Sequence, residues 1–279
     1  MKTRILTAII AIAVIVVPCF AFMHTIVFPI ILSLFSAIAV YEMIKATGGK
    51  NKLILALSCI SAAIIPILFH YNIEIPFMVV AIFFIIVYLS IMVVMHSVTH
   101  FSDVLTALFS VAAIPTSLSI FILLRDCYIS MPEHYTKANG VFFILFAMLS
   151  AWGTDSFALF SGKLFGKHKL CPKVSPNKTV EGAIGGVIGT VILNTIVFII
   201  FDKFVFTLHT ITWWQIIIIS ALLAIVSMFG DLSASLIKRN HNIKDFGNLF
   251  PGHGGVMDRI DSCVFVLAAL YAILYFVNI

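Results

Sequence analysis

The chain has 279 residues, of which 62% are hydrophobic and 10% are charged, and its mean hydropathy is +1.15. Soluble domains carry about 25% charged residues, so this composition excludes a water-soluble globular protein and makes the bilayer the solvent for fold reasoning. The net charge of +5 is modest; the placement of the basic residues beside the membrane matters more than their number, and nucleic acid is not an expected partner.

Nine apolar segments follow one another: Ile5–Phe22, Ile26–Ile44, Leu53–Phe69, Phe77–Met95, Val104–Leu124, Gly140–Phe160, Ala183–Phe201, Trp213–Leu232 and Ile260–Val277. Each is long enough to cross about 30 Å of hydrocarbon as a helix. The fold class expected is therefore all-α, a polytopic integral membrane protein with about nine transmembrane helices. The first run is long for a signal-peptide core and no A-x-A-like site follows it, so it reads as a retained helix.

With the N-terminus on the cytoplasmic side, only Arg125, Lys137 and Lys203 of the 17 basic residues fall on the outer face. That bias is a positive-inside signal. It predicts a multi-pass protein of the cell (inner) membrane whose long polar loops, Ser161–Gly182 and Lys238–Arg259, face the cytoplasm. Trp213 and Trp214 would then lie at the outer interface. Residues 1–150 read as N-terminal transmembrane helices, with Pro18, Pro29, Pro66 and Pro115 as tolerated kinks and little polarity beyond Ser, Thr and Glu42. Residues 151–279 read as a catalytic transmembrane region with cytoplasmic loops. The five cysteines form no CxxC pair and read as small buried hydrophobes.

Carboxylates beside apolar helices mark the chemistry. Asp155 lies inside the sixth segment, Asp231 at the end of the eighth, and Asp258 and Asp261 at the start of the ninth. A charge within a span costs at least about 2.5–3.5 kcal/mol, so it needs a partner or a role. Asp258 and Asp261 share a face once the helix has begun. Carboxylates gathered at a membrane edge suit a hard divalent cation, with Mg²⁺ the usual choice beside phosphates. The other reading is structural pairing with Lys238, Arg239 or Arg259.

The loop Pro251–Gly255 reads PGHGG. Its glycines let backbone N–H groups approach an anion, and His253 can donate to phosphate. Alone it would be a turn into the ninth segment. Around it stand Ser235, Lys238, Arg239, Lys244, Asp245 and Arg259, the mixture of hydroxyl, cations and carboxylates that phosphoryl chemistry uses. Upstream, SPNKTVEG offers Ser175, Lys178 and Thr179 as donors ahead of a glycine-rich helix, a reasonable phosphate seat; the glycines also suit close helix packing. The lysines from Lys163 to Lys173 read as a topology anchor or a site for anionic lipid.

The stretch SLIKRNHNIKDFGNLFPGHGGVMDRID, Ser235 to Asp261, resembles the signature of the phosphatidate cytidylyltransferases: S-x-x-K-R, four residues, K-D, a spacer, then H-G-G-x-x-D-R-x-D. The upstream GDL at Gly230–Leu232 and FGKHKL…VSPNKTVEG look like the same family, so the motif detail covers Trp152 to Ser262. The resemblance implies a Mg²⁺-dependent, membrane-embedded, all-α enzyme that converts CTP and phosphatidate to CDP-diacylglycerol and pyrophosphate. It implies that Asp231 and Asp258 bind metal and that Ser235 and Lys238 belong to the active site. The residue assignment is then Asp231, Asp258 and Asp261 for the metal, with Asp155 as a candidate fourth ligand. Ser175, Lys178, Arg239, Lys244, Asp245, His253 and Arg259 join Ser235 and Lys238 in holding substrate phosphates. The expected partners are CTP, phosphatidate and the lipid bilayer, with a homodimer as a further option. A CTP-dependent lipid or polyprenol kinase and a transporter are the alternative readings.

Overall fold

A computed structural model describes residues 21–73, 76–130, 132, 135–205, 211–250 and 254–277. Nine helices occur in chain order among them: α1 (Val27–Ala46), α2 (Lys52–His70), α3 (Phe77–Val94), α4 (Phe101–Arg125), the short α5 (Cys127–Ser130), α6 (Lys137–Phe165), α7 (Val180–Ile200), α8 (Trp213–Asn240) and α9 (Met257–Val277). A π-helical turn at Phe201–Val205 continues α7. Among the described residues, seven helices are long and apolar enough to cross a membrane, and the apolar α3 is shorter. The chain is thus an all-α integral membrane protein. The expected first segment, Ile5–Phe22, and Pro18 with it, lies almost wholly outside the described residues.

Two differences from the sequence expectation matter for function. The loop after α6 is not irregular: Lys169–Cys171 (β1) and Ser175–Thr179 (β2) form an antiparallel hairpin. Glu181 holds its entry, accepting the backbone N–H of Lys167 at 3.0 Å and of His168 at 3.2 Å. The eighth apolar segment also does not stop at Leu232. The helix runs on to Asn240, because the residues after Leu232 (Ser, Ala, Ser, Leu, Ile, Lys, Arg) include no glycine or proline to break it. Ser235, Lys238 and Arg239 therefore stand on its last turns.

The chain divides into two compact units. The first comprises the described residues up to Ile122 together with Ile237–Ile260. Here Asn51 caps α2, accepting from Leu53 N at 2.9 Å and Ile54 N at 3.2 Å, while its amide donates to Thr99 Oγ1 at 2.6 Å. One side chain thus satisfies the orphan donors of a helix start and fixes the approach to α4. Ser58 and the fully buried Tyr88 share a 2.8 Å hydrogen bond between α2 and α3.

The second unit comprises Leu123–Leu236 and the described part of Asp261–Ile279. Its most extensive packing is between α6 and α7. A Cβ on Gly182 would lie 2.8 Å from Ala158 O, and one on Gly186 would lie 3.1 Å from Thr154 O, so glycine permits the close approach. Thr154 and Thr190 hydrogen-bond across it at 3.0 Å. Asn194 donates to Ser150 Oγ at 2.9 Å and Ser220 Oγ at 3.2 Å, tying α6, α7 and α8 together. In hydrocarbon, small residues and such hydrogen bonds replace the hydrophobic force that lipid removes. Gly182→Val should lower stability by about 1–3 kcal/mol, read as an earlier thermal unfolding of the detergent-solubilised chain. An unchanged transition would show that α6 and α7 do not approach this closely.

Candidate active site

The predicted residues are divided between the units, and the boundary at Ile260 falls within α9, so Asp258 belongs to the first and Asp261 to the second. Helix α9 begins at Met257, which places both aspartates on its opening turns at the three-residue spacing that shares a face.

In the first unit, everything turns on Asp258. Its side chain is 3% exposed. Lys238 Nζ donates to Oδ1 at 2.8 Å, and the backbone N–H groups of Phe246 and Gly255 donate to Oδ2 at 2.8 and 3.0 Å. The Lys238 ammonium also lies 5.2 Å from the centre of the Phe246 ring. Gly254 has φ +81°, and a Cβ there would stand 2.8 Å from Asp258 Oδ2; the position demands glycine on both counts. The Phe250 N–H donates to Gly254 O at 2.9 Å, closing the motif loop, while Pro251, Gly252 and His253 lie outside the described residues. Arg239 Nη1 donates to Ile243 O at 3.2 Å. Lys244, Asp245 and Arg259 are exposed.

The first unit also holds a carboxylate that the sequence reading passed over. Glu42, on α1, is 5% exposed and accepts the Met257 N–H at 2.8 Å. The available signal was a lone acidic residue inside an apolar run, which membrane energetics marks as purposeful.

In the second unit, Lys178 of β2 forms an ion pair with Asp231 of α8, both half-buried. Ser262 joins two further carboxylates: its hydroxyl donates to Asp155 Oδ2 at 3.2 Å and its backbone N–H to Asp261 Oδ1 at 2.8 Å. Gly230 brings α8 against α9; a Cβ there would lie 3.1 Å from Asp261 O and 3.0 Å from the Phe265 ring. Ser175 opens β2 opposite Cys171 and Ser235 is half-buried on α8. The motif resemblance ends at Ser262, whose bridging role needs the α6–α9 packing to become visible.

Asp155, Asp261 and Ser262 offer only oxygen, and such a donor set suits a hard cation rather than zinc or copper. Among the described residues, no group of three or more His, Cys, Asp or Glu side chains is close enough to hold a metal by itself.

A model of the cytidylyltransferase family matches residues 2–277, nearly the whole chain. The chain belongs to this family. Similar proteins include a phosphatidate cytidylyltransferase of Staphylococcus saprophyticus, 41% identical over 157 residues, covering 55% of this chain and 58% of that protein. Another, from Bacillus subtilis, is 40% identical over 160 residues, covering 55% and 57%. A third, from Staphylococcus aureus, is 38% identical over 157 residues, covering 55% and 58%. The aligned part thus spans a little under three fifths of these relatives.

The contact and burial of the Lys238–Asp258 pair give it a testable energetic signature. Breaking a buried pair leaves an uncompensated charge and costs roughly 3–5 kcal/mol, whereas replacing both partners is far milder. Lys238→Met should therefore lower thermal stability sharply, and adding Asp258→Asn should restore much of it. Equal melting of the single and double variants would show that the pair is not desolvated.

Proposed function

We propose that the chain is a phosphatidate cytidylyltransferase, which joins CTP and phosphatidate into CDP-diacylglycerol and pyrophosphate at the cytoplasmic side of the cell membrane. The observation that carries this reading is the buried Lys238–Asp258 pair, seated in the backbone N–H groups of the motif loop, in a chain of the cytidylyltransferase family. The names of the relatives supply the substrate class.

The lipid phosphate is the nucleophile. One of its oxygens bonds to the α-phosphorus of CTP, the bond from that phosphorus to the bridging oxygen breaks, and pyrophosphate leaves with the electron pair. A phosphate monoester is already largely dianionic near neutral pH (second pKa about 6), so no strong general base is needed. The obstacle is the meeting of two anions, which fixed cations and N–H groups relieve. Lys238, Arg239, Lys244 and Arg259 supply positive charge in the first unit, with His253 as a further donor; Lys178 and the hydroxyls of Ser175 and Ser235 supply donors in the second. An arriving triphosphate competes with Asp258 for Lys238, and transfer of the ammonium to phosphate leaves Asp258 Oδ1 available as an oxygen donor. Asp155, Asp231 and Asp261 would each offer carboxylate oxygen to Mg²⁺, and since no three of the described side chains are close enough to hold it alone, substrate phosphate oxygens would complete its shell. Bound there, Mg²⁺ would offset phosphate charge and polarise the reacting phosphorus.

Two CTP samples test the bond that breaks, one labelled at the α-phosphate and one at the γ-phosphate. With phosphatidate and Mg²⁺, α-label should enter lipid and γ-label should appear in pyrophosphate; γ-label in the lipid would make the enzyme a kinase. Chelation by EDTA should abolish incorporation and added Mg²⁺ restore it, whereas full activity in EDTA would remove the metal from the reading. Orientation follows from the basic residues. Reporter fusions after Lys52, Lys173 and Asn248 should read as cytoplasmic and those at Lys137 and Lys203 as external, and an external signal at Lys173 would separate the hairpin from cytoplasmic CTP.

A further inference from the structure

Glu42 presents a problem that the proposed chemistry does not solve. Its carboxylate is buried on a helix that reads as membrane-spanning, where a charge needs a specific reason to stay. It has one in the start of α9. The first N–H groups of a helix lack intrahelical partners, and the helix dipole favours an anion there. Met257 is the first residue of α9, and its N–H donates to Glu42 Oε2 at 2.8 Å. Glu42 thus caps α9 from another helix, more than two hundred residues away in sequence.

The motif loop is shaped to receive this side chain. A Cβ on Gly247 would collide with the Glu42 carboxylate and lie 2.9 Å from its Cγ, and a Cβ on Gly255 would collide with both carboxylate oxygens. Neither glycine has a positive φ, so their backbones would accept alanine; the space taken by Glu42 would not. Gly247 precedes the motif loop and Gly255 ends it, and Gly255 together with Phe246 supplies a backbone N–H group to Asp258.

We propose that Glu42 is a positioning residue: it clamps Gly247, Gly255 and the first turn of α9, and through them fixes the Asp258 carboxylate. It touches no substrate in this role. The kinetic part rests on the cytidylyltransferase reading; the structural part does not.

The test is a set of variants of the full chain in detergent, followed by thermal unfolding and by CTP turnover with phosphatidate well below the melting temperature. Glu42→Gln keeps an acceptor of the same shape and should retain at least about a third of wild-type kcat. Glu42→Ala should lose about 10–100-fold in kcat, the scale of a displaced catalytic group, with KM for CTP within about threefold. Gly247→Ala should melt several degrees below wild type, and adding Glu42→Ala should raise its melting temperature again, because the obstacle is gone. Wild-type kcat in Glu42→Ala, equal losses in the glutamine and alanine variants, or strictly additive melting shifts in the Gly247 pair would each overturn the proposal. If the wild-type chain forms no CDP-diacylglycerol, the activity reading falls instead, and the melting cycle alone decides the clamp.

Discussion

The controlling constraint is the cost of keeping a carboxylate out of water. A membrane-spanning chain that is 10% charged holds few ionised groups, and each one that is buried has to be compensated on the spot. Asp258 shows how completely this is done: one oxygen meets an ammonium and the other meets two backbone donors. Much of the local architecture follows from that requirement. Helix α8 has to extend past the apolar segment to deliver Lys238, and the loop has to fold back so that Phe246 and Gly255 point their N–H groups inward. Gly254 has to be glycine. A mainly stabilising contact would be better served by apolar replacements of similar volume, so the retention of a costly pair suits a group that is needed for its charge.

The second unit applies the same rule with different means. Asp231 is compensated by Lys178 from the hairpin, and Asp155 and Asp261 share Ser262 as a donor. The hairpin is therefore more than a basic anchor, because it carries the lysine that neutralises Asp231. The polar contacts deeper in this unit, Thr154–Thr190 and Asn194 with Ser150 and Ser220, join the helices that bear Asp155 and Asp231. They hold α6, α7 and α8 in register without introducing charge, as buried positions in a lipid environment favour.

The helical class and the positions of the seven described spans were legible because apolar run length has one strong physical cause, hydrocarbon thickness. Segment ends were less legible: hydropathy falls where α8 leaves the apolar region, but helix propensity does not, so the helix continues to Asn240. The hairpin was missed because β1 and β2 are three and five residues long, and lysine-rich, proline-containing stretches carry no alternating pattern. Spacing within Ser235–Asp261 located Lys238 and Asp258, whose contact is bridged by one loop. Glu42 and Ser262 escaped because their roles depend on packing between helices remote in sequence, for which a single chain offers no periodic signal.

The motif glycines acquire a different meaning in this light. A glycine-rich loop beside lysines invites interpretation as a phosphate cradle, with backbone mobility as its purpose. Here only Gly254 of the described loop glycines requires an unusual backbone angle. Gly247 and Gly255 sit at ordinary angles and are small because the Glu42 carboxylate occupies the adjoining space, and Gly230 is small because the α9 backbone does. The glycines record where acidic side chains and helix backbones press against the motif. Backbone N–H groups beside glycines packed in this way are held in place, and fixed donors are what electrostatic stabilisation of a reacting phosphate demands, since donors already in place need not reorganise as charge moves.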